Sequence, residues 1–138
     1  MNVLIDTNII LSAIFPFRSN HKQAANIMKL ANIDRIHGHL SASSVTDIYY
    51  IARKELGDES TRAVIHDLLE ILLVISVDGD DCQRALSLPM KDFEDALIVV
   101  CADNAQIDYV VTDDLEFIAE TSTVVPVISA AKLISLLA

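Results

Sequence analysis

Lys91-Asp92-Phe93-Glu94-Asp95-Ala96-Leu97-Ile98-Val99-Val100-Cys101-Ala102, followed by Tyr109-Val110-Val111-Thr112-Asp113-Asp114, is the stretch that decides the fold. From Ala96 to Ala102 every residue is apolar and uncharged. A helix there is hydrophobic on all sides, which predicts burial and not a half-solvated position. The acids ahead of the run crowd into its first turn, with Asp92 and Asp95 three apart on one face. The β-branched run Val110-Val111-Thr112 then closes in two more carboxylates. A buried helix that opens with acids, next to a buried strand that ends in acids, sets negative charge at one edge of a core.

Working outward, 138 residues at 52% hydrophobic make one domain, 1–138, with enough chain for a proper core. The longest uncharged apolar runs, such as 71–77 and 96–102, are too short to span a bilayer. Met1-Asn2 leads directly into a strand-like run with no basic n-region, so no signal peptide is expected. Cys82 and Cys101 have no His or Cys at ligand spacing and read as reduced core thiols of a cytoplasmic protein. Twenty acids against ten bases give a net charge of −10. That argues against nucleic-acid binding through bulk charge, though not against a local basic rim around an acidic, cation-filled site.

Val3-Leu4-Ile5 fits a central parallel strand. It stops at Asp6-Thr7-Asn8, and Ile9-Ile10-Leu11 begins a helix that ends near Pro16. Ser19 or Asn20 is placed to cap a second helix carrying Ala24, Ile27, Met28 and Ala31. Residues 35–40 alternate as a polar strand with His37 and His39 on one face, read as ordinary surface groups. Ser43-Ser44-Val45-Thr46-Asp47 opens a helix that Gly57 ends, and another starts near Ser60. Val74-Ile75-Ser76-Val77 reads as a third buried strand. A short helix over 80–88 stops at Pro89. A last strand over 123–128 contains Pro126, an edge or strand-end signal, and Ser129 caps a closing helix. Helices alternating with short apolar strands call for a parallel sheet covered on both faces, with ligands at the carboxyl ends of the strands.

Each acid also has a structural explanation. Ser44-x-x-Asp47 and Asp92-x-x-Asp95 both resemble capping boxes, and Asp6, Asp113 or Asp114 can cap a helix or turn. Together, however, Asp6, Asp47, Asp95 and Asp114 fall at strand ends or helix starts that this topology gathers at one edge. Clustered carboxylates repel, so some must protonate or hold a cation. Oxygen-only donors suit Mg²⁺ or Mn²⁺, and such a cation supports phosphodiester hydrolysis. No glycine-rich phosphate loop, nucleophile elbow or zinc motif is present.

Four pieces, in order and nearly spanning the chain, carry a family resemblance. They are Leu4-Ile5-Asp6-Thr7-Asn8, Ser44-x-x-Asp47, Asp92-Phe93-Glu94-Asp95-Ala96 and Val111-Thr112-x-Asp114-x-x-Phe117. The pattern resembles the PIN-domain ribonucleases, of the type found as toxins in bacterial toxin–antitoxin pairs. The resemblance implies a Rossmann-like three-layer α/β/α sandwich around a mostly parallel sheet of about five short strands. It also implies an Mg²⁺- or Mn²⁺-dependent endoribonuclease with a cognate antitoxin; single-stranded RNA is the expected substrate and a homodimer the expected assembly. Its acidic set falls on Asp6, Asp47, Asp95 and Asp114, as catalytic and metal-holding groups. Thr7, Asn8, Ser44 and Thr112, with Asp92 and Asp113 nearby, are the supporting residues. The second acid of the family is usually Glu, so Asp47 is one methylene short; the Thr-x-Asp-x-x-Phe register favours Asp114 over Asp113. Lys91, Arg53 and Lys54 are nominated for substrate contact. The rival readings are a receiver-like Mg²⁺-binding regulatory module, for which only Lys132 inside a helix follows the last strand, and a catalytically inactive PIN scaffold.

Overall fold

In the computed structural model, residues 1–121 and 123–138 are described. The chain runs β1 (Asn2–Ile5), α1 (Thr7–Ile14), α2 (His21–Asn32), β2 (His37–Ser41), α3 (Ala42–Ile71) and β3 (Leu73–Ile75). It continues with α4 (Gly79–Ser87), α5 (Phe93–Asn104), β4 (Tyr109–Val111), α6 (Leu115–Ala119), β5 (Val127–Ile128) and α7 (Ala130–Leu137). The five strands form one sheet in the order β3-β2-β1-β4-β5, and every pairing is parallel. All strand carboxyl ends therefore meet at one edge.

β1 is central and buried on both faces, and its side chains alternate between two cores. Val3 and Ile5 join apolar residues of α1, α2, α3 and α7, whereas Leu4 joins those of α4 and α5. β4 splits in the same way, with Val111 on the first side and Val110 on the second. The result is the three-layer α/β/α sandwich expected. All seven residues of the apolar run in α5 are buried, each large aliphatic contributing about 2 kcal/mol of transfer free energy. Gly38 in β2 is required by packing: a Cβ there would stand 2.6 Å from Leu72 Cδ2 and 3.1 Å from Ala31 Cβ. Gly57 adopts φ +77° inside α3 and breaks it into two arms. The helix thus ends at Gly57, as its sequence suggests, but resumes at once.

Two strand expectations need correction. The third strand is not buried: it is the edge strand β3, shifted to Leu73–Ile75, with Leu73 64% and Val74 46% exposed and only Ile75 covered. Its apolar run is short enough to fit either place, and sheet order decides. The last strand shrinks to Val127–Ile128, although Pro126 behaves as an edge residue, its carbonyl accepting from Val110 N at 2.9 Å. Cys82 and Cys101 are free thiols. Burial first, then nearby Asp81, pushes the Cys101 thiol up to about 12, which keeps it protonated and unreactive. Among the described residues, no helix is long and apolar enough to cross a membrane.

Candidate active site

β1 and β4 lie side by side, and their ends are locked together. Asp6 N donates to Val111 O at 3.0 Å, extending the ladder by one residue. The Thr112 hydroxyl, fully buried, donates to Asp6 Oδ2 at 2.7 Å and accepts from Asp114 N at 3.1 Å. Asp6 Oδ1 accepts from Thr7 N at 2.9 Å, making Asp6 the N-cap of α1. Asp114 caps α6 by accepting from Glu116 N at 2.9 Å. Both acids are therefore caps and site residues at once, because a cap at a strand's carboxyl end also points across the sheet edge.

α5 delivers Asp95 in its first turn. Its N-cap is Asp92, whose Oδ1 accepts from Asp95 N at 2.9 Å. Only this half of the expected capping box forms among the described residues. α3 delivers Asp47, and here the expected box is absent. The cap of α3 is Ser41, accepting from Ser44 N at 3.3 Å, so Ser44 is the third helical residue and Asp47 stands a turn further in. The Ser44 hydroxyl pairs with Ser41 Oγ at 2.9 Å inside the β2–α3 junction. That buried hydroxyl cluster fixes the start of the helix and does not line the cleft.

The four elements enclose a cleft of about 350 Å³ lined by Asp6, Asp47, Asp95 and Asp114, with Thr7, Asn8, Asp92, Glu94 and Ile51. Asp113 turns the other way, accepting from Asn20 Nδ2 at 3.0 Å, and lines the neighbouring hollow instead. Lys91 stands in an adjoining hollow with Asp92, Asp95, Glu116 and Glu120. Lys54 lies on α3 two turns beyond Asp47, seven residues on and so along the same helical stripe. Arg53 points elsewhere, its guanidinium 5.8 and 5.5 Å from the rings of Tyr49 and Tyr50. Those rings belong to an apolar cavity of about 440 Å³ between the arms of α3, which contains none of the acids.

One acid of the lining has no role in the sequence reading. Glu94 reaches from α5 to hydrogen-bonding range of Asp47 on α3. Its place at the helix start beside Asp95 was visible, but its partner 47 positions earlier in the chain was not.

Electrostatics single out two of the acids. Burial pushes the Asp95 carboxyl up to about 7, aided by the charges of Asp92, Asp6, Asp114 and Glu94. Burial also raises Asp6, against hydrogen bonds from Thr112 and Thr7, with Asp114 and Asp113 adding repulsion. Glu94 is raised by burial and by its bond to Asp47. A cation would relieve all three. The donors are oxygen only, which fits a hard divalent ion such as Mg²⁺ or Mn²⁺. Among the described residues no three acids, histidines or cysteines are grouped closely enough to hold an ion as they stand. The acids share a cleft and not a point, so coordination requires side-chain rotation.

A family model described as PIN domain matches residues 2–116. No curated protein matches the chain. Similar solved structures include VapBC2 from Rickettsia felis bound to a promoter DNA fragment, at TM-score 0.71 and 17% identity, covering 94% of this chain and 98% of that one. A toxin–antitoxin complex from Klebsiella pneumoniae has TM-score 0.67 and 18% identity, covering 93% and 97%. VapC20 from Mycobacterium tuberculosis, a toxin that cleaves the sarcin–ricin loop, has TM-score 0.67 and 15% identity, covering 83% and 92%.

Proposed function

This chain belongs to the PIN-domain family, and from that premise we propose that it is a metal-dependent endoribonuclease of single-stranded RNA, acting as the toxin of a toxin–antitoxin pair. The observation that carries the reading is the cleft itself. Asp6, Asp47, Asp95 and Asp114, from four separate elements, line one cavity that contains no basic side chain. The RNA and the antitoxin partner are supported by the similar toxin and the similar toxin–antitoxin complexes.

In this reading Asp6, Asp47, Asp95 and Asp114 hold Mg²⁺ or Mn²⁺. The ion supplies water activation near neutral pH and stabilises charge on a phosphate oxygen. Thr112 fixes the rotamer of Asp6 and ties it to the Asp114 backbone, while Thr7 N holds the other Asp6 oxygen. Asp95, titrating near 7, exchanges a proton readily at working pH before the ion is bound. Lys91, in the hollow beside the cleft, and Lys54, two turns beyond Asp47 on α3, meet the phosphates of the incoming strand, while Arg53 stays with Tyr49 and Tyr50. Two copies of the chain form the homodimer.

The test is cleavage of single-stranded RNA by purified protein with Mg²⁺, with Mn²⁺ and with chelator, alongside Asp6→Asn. Cleavage is expected only with metal and only in the parent. Activity that survives chelator and is equal in Asp6→Asn would overturn the assignment.

A further inference from the structure

The hollow that takes Asp113 adjoins the acid cleft and shares Asn8 and Asp114 with it; its volume is about 340 Å³, and Ser12 and Arg18 complete its walls. A further one of about 420 Å³ shares Arg18, Ser19 and Asn20 with the second and brings in Lys22. Charge changes sign along this line. The first cavity is lined by carboxylates and no base, the second by Arg18 against Asp113 and Asp114, and the third by Arg18 and Lys22 with no acid.

Two features of the α1–α2 turn suit an outside ligand. Arg18 is half-buried, yet among the described residues its guanidinium has neither a carboxylate in ion-pair range nor a hydrogen-bond acceptor. No buried side-chain nitrogen lacks a partner among the described residues, so the guanidinium faces solvent, where it is free to meet an anion from outside the chain. Next to it, Phe17 is 72% exposed, and its ring centroid stands 5.2 Å from that of buried Phe15, which steadies it. An exposed, braced aromatic ring next to Arg18, with Lys22 in the hollow beyond, matches the stacking-plus-phosphate grammar of single-strand binding. An interface with a folded protein instead needs an apolar centre of several residues, and the side chains lining these two hollows are polar apart from Pro16.

We propose that single-stranded RNA leaves the acid cleft past Asn8 and over the α1–α2 turn, with Arg18 and Lys22 on backbone phosphates and Phe17 stacking on a base. The proposal rests on the nuclease reading and adds a further stretch to the substrate path, beyond Lys91 and Lys54. The Asn20 amide donates to Asp113, one of the two carboxylates that share the second hollow with Arg18.

The experiment is fluorescence anisotropy of a short labelled single-stranded RNA with Ca²⁺ in place of Mg²⁺, across a range of salt, for the parent, Phe17→Ala, Arg18→Ala, Arg18→Lys and Lys22→Ala. Arg18→Ala and Lys22→Ala should each weaken binding on the order of tenfold at low salt and lower the logarithmic salt slope by roughly 0.7. Arg18→Lys should keep the slope, since its charge is kept. Phe17→Ala should weaken binding about equally at every salt, with the slope unchanged, the signature of lost stacking. If the RNA binds the parent and is cleaved with Mg²⁺, but these variants behave as the parent does, the path is wrong and the nuclease reading stands. If Phe17→Ala and Arg18→Ala affect only capture of a protein partner, the turn is a protein surface and the path is again wrong. A parent that neither binds nor cleaves RNA overturns both readings together.

Discussion

Two consecutive helices open with the same motif, and the motif does opposite things. At the start of α4, Asp78 and Asp81 form a complete capping box: Asp81 N donates to Asp78 Oδ1 and Asp78 N to Asp81 Oδ2, each at 3.0 Å. The Asp81 carboxylate is buried and takes a further hydrogen bond from Asn104 Nδ2 at 2.5 Å. At the start of α5, Asp92 caps Asp95 in the same way, but the Asp95 carboxylate leaves the box and enters the acid cleft. Asp81 is surrounded by donors, Asp95 by other carboxylates. An Asp-x-x-Asp at a helix start therefore fixes the helix in both places, while tertiary neighbours decide whether the second acid serves stability or chemistry.

The contrast is most easily broken by exchanging the outcomes. Asp95→Asn should cut metal-dependent RNA cleavage at least about a hundredfold, a loss of some 2.7 kcal/mol or more in transition-state stabilisation. Asp81→Asn should leave the rate per folded molecule within about twofold, since its carboxylate is remote from the cleft. Equal losses in single-turnover assays would show that the two boxes are not functionally distinct.

Stability should divide the pair in the reverse direction. Asp81→Ala removes a cap partner and strands the Asn104 amide, at a cost of about 2–3 kcal/mol in chemical denaturation. Asp95→Asn removes a charge held among like charges, so the protein in chelator should gain about 1 kcal/mol, discounted for its half-solvated position. It should also lose most of the stabilisation that Mg²⁺ or Mn²⁺ gives the parent. A variant less stable than its parent in chelator would mean that Asp95 is a simple helix-start acid, favoured by the helix dipole.

The smallest effect is the pH dependence. Asp95 titrates near 7 when folded and near 4 when unfolded, so the unfolded chain releases its proton first as pH rises. The stabilisation from that proton is complete below about pH 4 and disappears as pH climbs to about 7. In chelator, the melting temperature of the parent should fall across that window by a few degrees more than that of Asp95→Asn. Parallel curves would remove the electrostatic half of the comparison.

Much of this architecture is legible in the chain because its signals are local. The uncharged run in α5, the acid that follows β1 and the proline beside β5 each report a feature within a few residues, and each corresponds to what the fold contains. What is not legible is long-range. Val74-Ile75 looks the same in a central strand as at an edge, because strand order is set by partners far off in sequence. Ser44-x-x-Asp47 imitates a capping box, yet Ser41 takes the cap since β2 ends one turn earlier. Glu94 meets Asp47, and Arg18 flanks the cleft, only through packing that no spacing rule encodes.

The Thr112 hydroxyl that bridges Asp6 and Asp114 has a temporal consequence. Its partner Asp6 lies 106 residues away along the chain, so the acid cleft cannot close until β4 has been made. A nascent chain emerging from the ribosome has Asp6 and Asp47 long before it has β4, and without β4 neither Asp6 rotamer nor Asp114 is in place. Premature termination anywhere before residue 114 thus yields a fragment that lacks part of the acid cleft.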